Sequence, residues 1–409
     1  MSVDPETEVQ AMMSVSRRAR EMQGSPIRKL AAFADARAKS GIKVYHLNIG
    51  QPDLPTSPAV FEAIRKFDQK TIAYAPSNGL SPALTAWKSY FRHRGIDFEE
   101  SEMIVTTGGS EAIVMAMIAT CDAGDEIIVF EPFYTNYNGF ASIANVKLRP
   151  IPLSIQNGFH LPPTKDIESF ITTRTKAILV NSPSNPTGAI YTRDELQRIV
   201  DLAGQHNLFV ISDEAYREFA YETKAVGISE FPALGDKAIL VDSCSKRFNV
   251  CGARIGVIAS HNREVIESAL KFGQARLSVA SIEQLAVAPL LNDPDPYIQP
   301  IVKEFRRRRD AVLEELKKIP GVTAYKPEGA FYVIIGLPVQ DAERFTKWMI
   351  EEFEDNRETV LVAPGDGFYA TPGKGANEVR LAFMLNVDDL RRAVKLLGMA
   401  LDRYKHDKQ

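Results

Sequence analysis

The sequence has few cysteines and no excess of charge of either sign. Cys121, Cys244 and Cys251 are its three cysteines in 409 residues, and no two of them form a Cys-x-x-Cys pair. This pattern argues against a disulfide framework or a zinc knuckle, and it is typical of a reducing compartment. The formal net charge of -3 gives no reason to expect nucleic acid or a membrane surface as a partner.

Long apolar runs are missing as well. No segment approaches the length of a membrane span, and Met1 to Gln10 is acidic without the apolar core of a signal peptide. A Gly-x-Gly-x-x-Gly motif after a strand is also absent, which argues against a nicotinamide dehydrogenase. We therefore expect a cytoplasmic protein without a metal site or a membrane partner.

The segments that are present alternate between apolar runs and amphipathic ones. Leu208 to Ile211 and Ala238 to Val241 have the composition of buried strands, and Thr192 to His206 has the pattern of a helix. This alternation predicts an α/β fold with a mostly parallel central sheet that helices cover on both faces. We expect a large domain over residues 56–300 and a smaller α+β domain formed by residues 1–55 and 301–409.

One stretch combines the residues of a phosphate site with a lysine. Ser243, Ser245 and Lys246 follow an apolar run, and Arg254 comes eight residues after the lysine. Hydroxyl groups and a guanidinium group supply the donors and the fixed positive charge that a phosphate needs. A neutral lysine amine can attack an aldehyde and hold it as a Schiff base. The combination suggests pyridoxal phosphate, although solvated loop residues would give the same local pattern.

Polar residues also follow several other predicted strands. Open α/β sheets bind ligands at the carboxyl ends of their strands, so these residues are expected to meet at one edge. At the junction of one strand with a helix, Gly109 and Ser110 can add backbone N–H groups and the helix dipole to a phosphate site. The polar residues of the predicted edge are Tyr134, Asn185, Asp213, Tyr216, Ser243, Ser245 and Lys246.

Four motifs stand in an order and spacing that resemble class I and II aminotransferases. The similarity is greatest to the aspartate aminotransferase branch called I-gamma, and it runs from about Asn48 to the last helix. It implies the three-layer fold of the pyridoxal-phosphate transferases, fold type I. The motifs are Asn185-Pro186-Thr187-Gly188, Ser212-Asp213-Glu214-Ala215-Tyr216, Ser243-Cys244-Ser245-Lys246 and Gly252-Ala253-Arg254-Ile255-Gly256.

The resemblance implies cofactor roles for several motif residues and for three residues outside the motifs. Lys246 resembles the lysine that holds pyridoxal phosphate as a Schiff base and later carries a proton, and Asp213 resembles the partner of the pyridinium nitrogen. Asn185 and Tyr216 resemble the pair that binds the 3′-oxygen of the cofactor, and Tyr134 resembles the aromatic residue stacked on its ring. The implied phosphate cup consists of Gly109, Ser110, Ser243, Ser245 and Arg254.

The resemblance also implies a homodimer and a substrate site. Tyr74 resembles a tyrosine that reaches the phosphate across a dimer interface, so the two active sites would be shared between subunits. Arg380 resembles the arginine that binds the α-carboxylate of the substrate, a task suited to a bidentate guanidinium. Gly50 would contribute backbone to the same site, and Asn185 would lie beside it.

The implied activity is transfer of an amino group from aspartate, or a related amino acid, to 2-oxoglutarate. Many I-gamma enzymes carry a lysine at the position of Ser110 that recognises a second carboxylate, and a serine cannot supply this charge. Arg276 is a candidate substitute from the neighbouring subunit, although a structural surface arginine explains it equally well. Aromatic, alanine or other amino donors, and a pyridoxal-phosphate lyase, remain alternatives.

A transcription regulator whose effector domain shares these motifs is a further alternative. Such a protein needs a DNA-binding domain ahead of the sheet. The segment before Val44 is too short for a winged helix with a linker and has no basic stripe. The sequence therefore favours an enzyme.

Overall fold

The computed structural model describes residues 15–407, and its strands and helices alternate through most of the chain. None of the helices in this range is long and apolar enough to cross a bilayer. The helices are α1 (Arg17–Glu21), α2 (Ala31–Lys39), α3 (Pro58–Arg65), α4 (Ser81–His93), α5 (Gly108–Thr120), α6 (Asn136–Ala144), α7 (Thr164–Glu168), α8 (Arg193–His206), α9 (Cys244–Arg247), α10 (Arg263–Ala275), α11 (Ser281–Asn292), α12 (Asp295–Leu316), α13 (Ala342–Glu351) and α14 (Val387–Asp407).

A seven-stranded sheet forms the middle layer, with the strand order β2-β8-β7-β6-β5-β3-β4. Only β8 runs antiparallel to its neighbours, β2 and β7, so the prediction of a mostly parallel sheet is confirmed. The strands of this sheet are β2 (Met103–Thr107), β3 (Glu126–Glu131), β4 (Lys147–Pro152), β5 (Thr175–Asn181), β6 (Phe209–Asp213), β7 (Ala238–Ser243) and β8 (Ile255–Ala259).

The middle residues of the central strands are apolar because both faces of these strands are covered. Every residue of β3 and β7 is buried. Along β7, Ile239 and Val241 pack into a cluster that includes residues of α5, whereas Leu240 packs into a cluster that includes residues of α4. Each such side chain contributes about 1.5–3 kcal/mol when it is fully buried. The two clusters therefore cover opposite faces of the sheet.

A second, smaller sheet is antiparallel and has the order β12-β13-β10-β9. Near it, β1 from the N-terminal part of the chain pairs in parallel with β11 from the C-terminal part. The domain boundaries stay a prediction, and α12 continues through residue 300 without a break. The remaining strands are β1 (Lys43–His46), β9 (Thr323–Ala324), β10 (Tyr332–Gly336), β11 (Glu358–Leu361), β12 (Ala363–Pro364) and β13 (Glu378–Ala382).

The N-terminal region differs in detail from the sequence prediction. The helical spacing of apolar residues from Ile27 to Ala38 predicts a continuous helix, but the chain forms a 3₁₀ turn at Pro26–Arg28 and then α2. The polar residues 1 to about 24 predict a loose arm or a short helix. The short helix α1 lies in this segment, and residues 1–14 lie outside the described residues. The strand β4 was not predicted, because its sequence contains two prolines, which argue against a central strand. It lies at the edge of the sheet, where proline is tolerated.

The start of α8 shows how a polar side chain can hold a helix in place. Thr192 and Glu195 cap the helix reciprocally, each side chain accepting a hydrogen bond from the backbone N–H of the other. The Glu195 carboxylate also accepts from the backbone N–H of Leu161, at 2.7 Å, and contacts His160 Nδ1 at 3.0 Å. Burial opposes the charged carboxylate, but His160 and these N–H groups lower the pKa of Glu195 to about 2.

Replacing Glu195 with alanine should lower the free energy of unfolding by about 2 kcal/mol near neutral pH, because a helix cap and a charged hydrogen bond are both lost. The contribution of a carboxylate with a lowered pKa is present above its unfolded pKa and disappears as the pH falls through its folded pKa. Urea titrations should therefore show the two proteins converging in stability as the solution is acidified within the folded range. Glu264→Ala, in the first turn of α10, is the matched control. A difference that does not change with pH would contradict the assignment.

Candidate active site

A cavity of about 540 Å³ lies at the carboxyl ends of β5, β6 and β7, a volume suited to a small ligand. Asn181, at the end of β5, is the register partner of Asp213, at the end of β6. Tyr74 and Arg276 are the two predicted site residues that do not line it. The predicted residues that line the cavity are Gly50, Gly109, Ser110, Tyr134, Asn185, Asp213, Tyr216, Ser243, Ser245, Lys246, Arg254 and Arg380.

One end of the cavity is built from the first turn of α5 and the start of β8. A Cβ atom on Gly256 would lie 2.6 Å from the backbone carbon of Gly108 and 2.7 Å from the backbone nitrogen of Gly109, so only glycine permits this approach. Arg254 adopts a left-handed conformation with φ of 55° and donates to the carbonyl oxygens of Cys251 and Thr107. Its exposed guanidinium forms no ion pair with a carboxylate of the described residues, so its positive charge is available to an anion.

Two serine hydroxyls line the same cavity. Ser243 ends β7 and caps the short helix α9, and its hydroxyl accepts a hydrogen bond from the backbone N–H of Ser245 at 3.2 Å. The hydroxyl groups of Ser243 and Ser245 lie 2.9 Å apart. Together with the N-terminus of α5 and Arg254, the two serines supply neutral donors and one positive charge. This set of groups suits a phosphate.

Lys246 follows these serines and directs its amine into the cavity. Its Nζ atom donates to the carbonyl oxygen of Gly50 at 3.0 Å and lies 3.8 Å from the sulfur of Cys251. No carboxylate among the side chains described between residues 15 and 405 forms an ion pair with this amine. Gly50 is confined by its surroundings, because a Cβ atom there would collide with the hydroxyl group of Tyr332. The amine is thus held by neutral acceptors alone, which a reacting group can replace.

Helix α9 is anchored beneath the cavity by a buried ion pair. Arg247, next to Lys246, contacts the carboxylate of Asp242, and both side chains are fully buried. The guanidinium of Arg247 also lies 4.5 Å from the centre of the Tyr90 ring. A buried pair of this kind fixes the position of its element, since removing either partner would leave an uncompensated charge.

Asp213 is a buried carboxylate at the cavity wall. It accepts a hydrogen bond from the hydroxyl of Tyr137 at 2.6 Å and one from the backbone N–H of Ala215 at 3.2 Å. Burial raises the pKa of Asp213, and these two hydrogen bonds act in the opposite direction. No cation among the described residues forms an ion pair with it. A ligand that brings a protonated nitrogen to this carboxylate would supply the missing charge.

Arg380 is the opposite case, a buried cation without a carboxylate. It donates to Asn185 Oδ1 at 3.0 Å and to the carbonyl oxygen of Asn48 at 2.6 Å. The rings of Tyr332 and Phe368 lie 4.4 and 4.8 Å from its guanidinium carbon. Its Nε atom is buried without a hydrogen-bond partner, and burial lowers the pKa of the side chain. An anionic ligand group would satisfy this cation.

Aromatic hydroxyls complete the wall of the cavity. The hydroxyl groups of Tyr216 and Tyr332 form a hydrogen bond of 2.9 Å with each other. The Tyr134 hydroxyl accepts from the Asn136 side chain at 2.9 Å, and burial raises the pKa of Tyr134 to about 12. Burial also raises the pKa of Tyr216, so the hydroxyl groups of Tyr134 and Tyr216 are neutral donors at physiological pH, suited to an oxygen of a bound ligand.

The two predicted residues outside the cavity differ from each other. Tyr74 is 81% exposed, so its side chain is free to contact another molecule. Arg276 pairs with Glu111 at 3.0 Å and donates to the carbonyl oxygens of Ser77 and Val105. Within one chain, Arg276 thus ties α10 to the start of α5 and to neighbouring loops. Its suggested substrate role stays a prediction.

Several residues that shape the site were not predicted. The hydroxyl of Tyr137 forms a hydrogen bond with Asp213, and that of Tyr332 forms one with Tyr216, each from a distant position in the sequence. The backbone carbonyl of Asn48 accepts a hydrogen bond from Arg380. No motif marks these residues, since each is a common residue type in an ordinary helix, strand or turn. Arg28 also lines the cavity and had no sequence signal beyond its charge.

The comparisons with known proteins agree with this geometry. The sequence profile described as "Aminotransferase class I and II" matches residues 42–397, so the chain belongs to this family. It is 31% identical to the aspartate/prephenate aminotransferase of Thermus thermophilus, over 96% of this chain and 100% of that one. The solved aspartate aminotransferase of the same organism with maleate superposes with a TM-score of 0.87, at 30% identity, covering 95% of this chain and 100% of that one. The solved structure of an alanine aminotransferase from Pyrococcus furiosus also superposes with a TM-score of 0.87, at 28% identity, covering 95% of this chain and 100% of that one.

These findings define the protein class. The chain is an aminotransferase with the fold type I architecture, and the recognition made from its motifs is confirmed. The family uses pyridoxal phosphate. The residues of the cavity fit that group, because an anion-binding end, an amine, an unpaired buried carboxylate and neutral hydroxyl donors surround one space.

Proposed function

We propose that this enzyme transfers the amino group of aspartate to 2-oxoglutarate with pyridoxal phosphate as cofactor. The observation that carries the proposal is the charge arrangement of the cavity. Lys246 shares it with a buried carboxylate, Asp213, and a buried guanidinium, Arg380, neither of which has an ion-pair partner among the described residues. A cofactor with a basic ring nitrogen and a substrate with an α-carboxylate would complete both pairs.

The proposed holders of the cofactor follow from their chemistry. Lys246 would attach it, Asp213 would keep a proton on its ring nitrogen, and Tyr134 would pack on its ring. Asn185 and Tyr216 would bind its ring oxygen. When bound, pyridoxal phosphate supplies an electron sink for the charge that develops at the substrate Cα. The phosphate would be bound by Gly109, Ser110, Ser243, Ser245 and Arg254.

The proposed tasks of the chain during the reaction are binding and proton transfer. Arg380 would bind the substrate α-carboxylate, with Asn185 and the backbone of Gly50 beside it. The amine of Lys246 would take the proton from the substrate Cα and deliver it to the C4′ carbon of the cofactor, because it is the one amine that lines the cavity among the described residues. A positioned acid or base of this kind contributes about 10²- to 10⁴-fold to a rate.

The names of several relatives support aspartate as the donor. Proteins about 30% identical to this chain over most of its length are named aspartate or aspartate/prephenate aminotransferases. The serine at position 110 and the similarity to an alanine aminotransferase favour alanine as the second candidate. Initial rates with 2-oxoglutarate and single amino donors distinguish the two. The proposal requires a higher kcat/KM for aspartate than for alanine or aromatic donors, and the reverse order would contradict it.

We also propose that the enzyme is a homodimer in which Tyr74 contributes to the partner's site. Four exposed large side chains, at 43 to 81% exposure, fall in one short segment of the chain, which is typical of an interaction surface. They are Phe61, Ile64, Ile72 and Tyr74.

Mixing two inactive variants tests this arrangement. If Tyr74 acts across the interface, a hybrid dimer of Tyr74→Ala and Lys246→Ala subunits contains one intact site. Refolding an equal mixture should then restore roughly a quarter of the wild-type activity at limiting cofactor, because half of the dimers are hybrids with one working site. The separately refolded variants are the control. No gain on mixing would contradict a shared site.

A further inference from the structure

The cavity contains one cation to which no role has yet been given. Arg28 ends the 3₁₀ turn Pro26–Arg28, and its exposed side chain lines the cavity together with Ser25 and Ile27. The guanidinium of Arg28 forms no hydrogen bond or ion pair with any of the side chains described between residues 15 and 405, and the backbone N–H of Arg28 donates to the carbonyl oxygen of Ser25 within the turn. A guanidinium that lines a ligand cavity without a protein partner is available to a ligand.

Contacts of the turn fix its position beside the substrate arginine. The side-chain amide of Asn48 donates to the carbonyl oxygen of Ile27 at 3.1 Å, and the backbone carbonyl of Asn48 accepts from Arg380 at 2.6 Å. On its other side the turn packs on Gly367, where a Cβ atom would collide with Pro26. The next residue, Phe368, carries the ring that lies 4.8 Å from the Arg380 guanidinium.

The other positive groups are already engaged. Lys246 and Arg254 serve the proposed cofactor, and Arg380 serves the α-carboxylate. Ser110 has no charge to offer a second carboxylate. Arg276 is outside the cavity of its own chain and is paired with Glu111. Arg28 is therefore the remaining cation among the described residues that line the cavity, and its charge is available to a second acidic group of a substrate bound at Arg380.

We infer that Arg28 binds the distal carboxylate of a dicarboxylic substrate and so determines the preference for aspartate and 2-oxoglutarate over monocarboxylic partners. This inference rests on the proposed function. A charged hydrogen bond at a partly solvated site corresponds to about a 10- to 100-fold difference in kcat/KM. The effect should appear with dicarboxylic substrates and be missing with alanine, which has no distal carboxylate.

The test compares Arg28→Ala, Arg28→Lys and the neighbouring control Lys29→Ala in the holoenzyme. Lys29 pairs with Glu343 and does not line the cavity, so its removal changes the same segment without changing the site. We expect Arg28→Ala to lower kcat/KM for aspartate by about 10- to 100-fold, with alanine unchanged. Arg28→Lys should regain part of the loss, because lysine keeps the charge but not the bidentate geometry.

A binding measurement separates failure of this inference from failure of the proposed function. Calorimetric titration of the holoenzyme with maleate and with propionate measures recognition of the second carboxylate without turnover. Maleate binding that weakens in Arg28→Ala while propionate binding stays constant supports Arg28 even if the wild type prefers alanine as donor. Equal binding of maleate by the wild type and Arg28→Ala overturns the inference. A loss of maleate binding in Arg276→Ala alone would overturn it in favour of Arg276.

Discussion

Replacing Lys246 with alanine should reduce transamination by at least about 10⁴-fold, the largest effect that we expect from a single substitution. The variant loses both the proposed attachment point of the cofactor and the amine that would carry the proton. The Nζ atom of Lys246 lies 3.0 Å from the carbonyl oxygen of Gly50, and no other lysine lines the cavity among the described residues. Single-turnover rates with aspartate measure the loss directly.

Two controls separate this chemical role from damage to the fold. Lys165→Ala, which removes an exposed lysine from α7, should retain wild-type rates. The free energy of unfolding of Lys246→Ala should stay close to that of the wild type, since the ion pair between Asp242 and Arg247 that anchors α9 is left in place. A Lys246→Ala protein with more than about a tenth of the wild-type rate would contradict the role of this amine.

Replacing Asp213 with asparagine should lower kcat by about 10²- to 10⁴-fold, the second largest effect, because a neutral amide cannot hold a proton on the ring nitrogen of the cofactor. The hydrogen bond from Tyr137 can be kept by the amide oxygen, so the position of the side chain need not change. The raised pKa that burial gives Asp213 belongs to the cofactor-free protein, and a protonated ring nitrogen beside the carboxylate would lower it.

The same substitution should not destabilise the cofactor-free protein. Because burial raises the pKa of Asp213, the folded state disfavours the charged carboxylate at neutral pH, and a neutral amide avoids that cost. Urea denaturation should therefore give Asp213→Asn a stability equal to or above that of the wild type. Asp201→Asn, a substitution at an exposed position of α8, serves as the control and should change neither kcat nor the free energy of unfolding. Activity near the wild-type level in Asp213→Asn would contradict the assignment.

The sequence was sufficient to predict the layers of the fold and the edge at which the site lies. The runs Leu208 to Ile211 and Ala238 to Val241 have no polar residue, and both form strands buried on two faces. The polar residues that follow them could be assigned to one sheet edge because parallel strands end on the same side. Most of the predicted site residues indeed line one cavity there, and their individual roles stay predictions.

The remaining parts of the site depend on contacts that no local pattern encodes. Tyr137 reaches Asp213 across 76 residues of sequence, and Tyr332 reaches Tyr216 across 116. Arg28 comes to the cavity because Asn48 bonds both to its turn and to Arg380, a link made only when the chain has folded. Such partners become visible when distances between side chains are known, whereas motif residues are visible from their spacing.

The most direct test of the account is the absorbance spectrum of the purified enzyme with pyridoxal phosphate, recorded while aspartate and then 2-oxoglutarate are added. We predict that the band of the lysine-bound cofactor disappears with stoichiometric aspartate and returns with 2-oxoglutarate. The band should be missing in Lys246→Ala. A wild-type band that aspartate leaves unchanged, or an identical band in Lys246→Ala, would contradict the proposed reaction and the role of Lys246 in it.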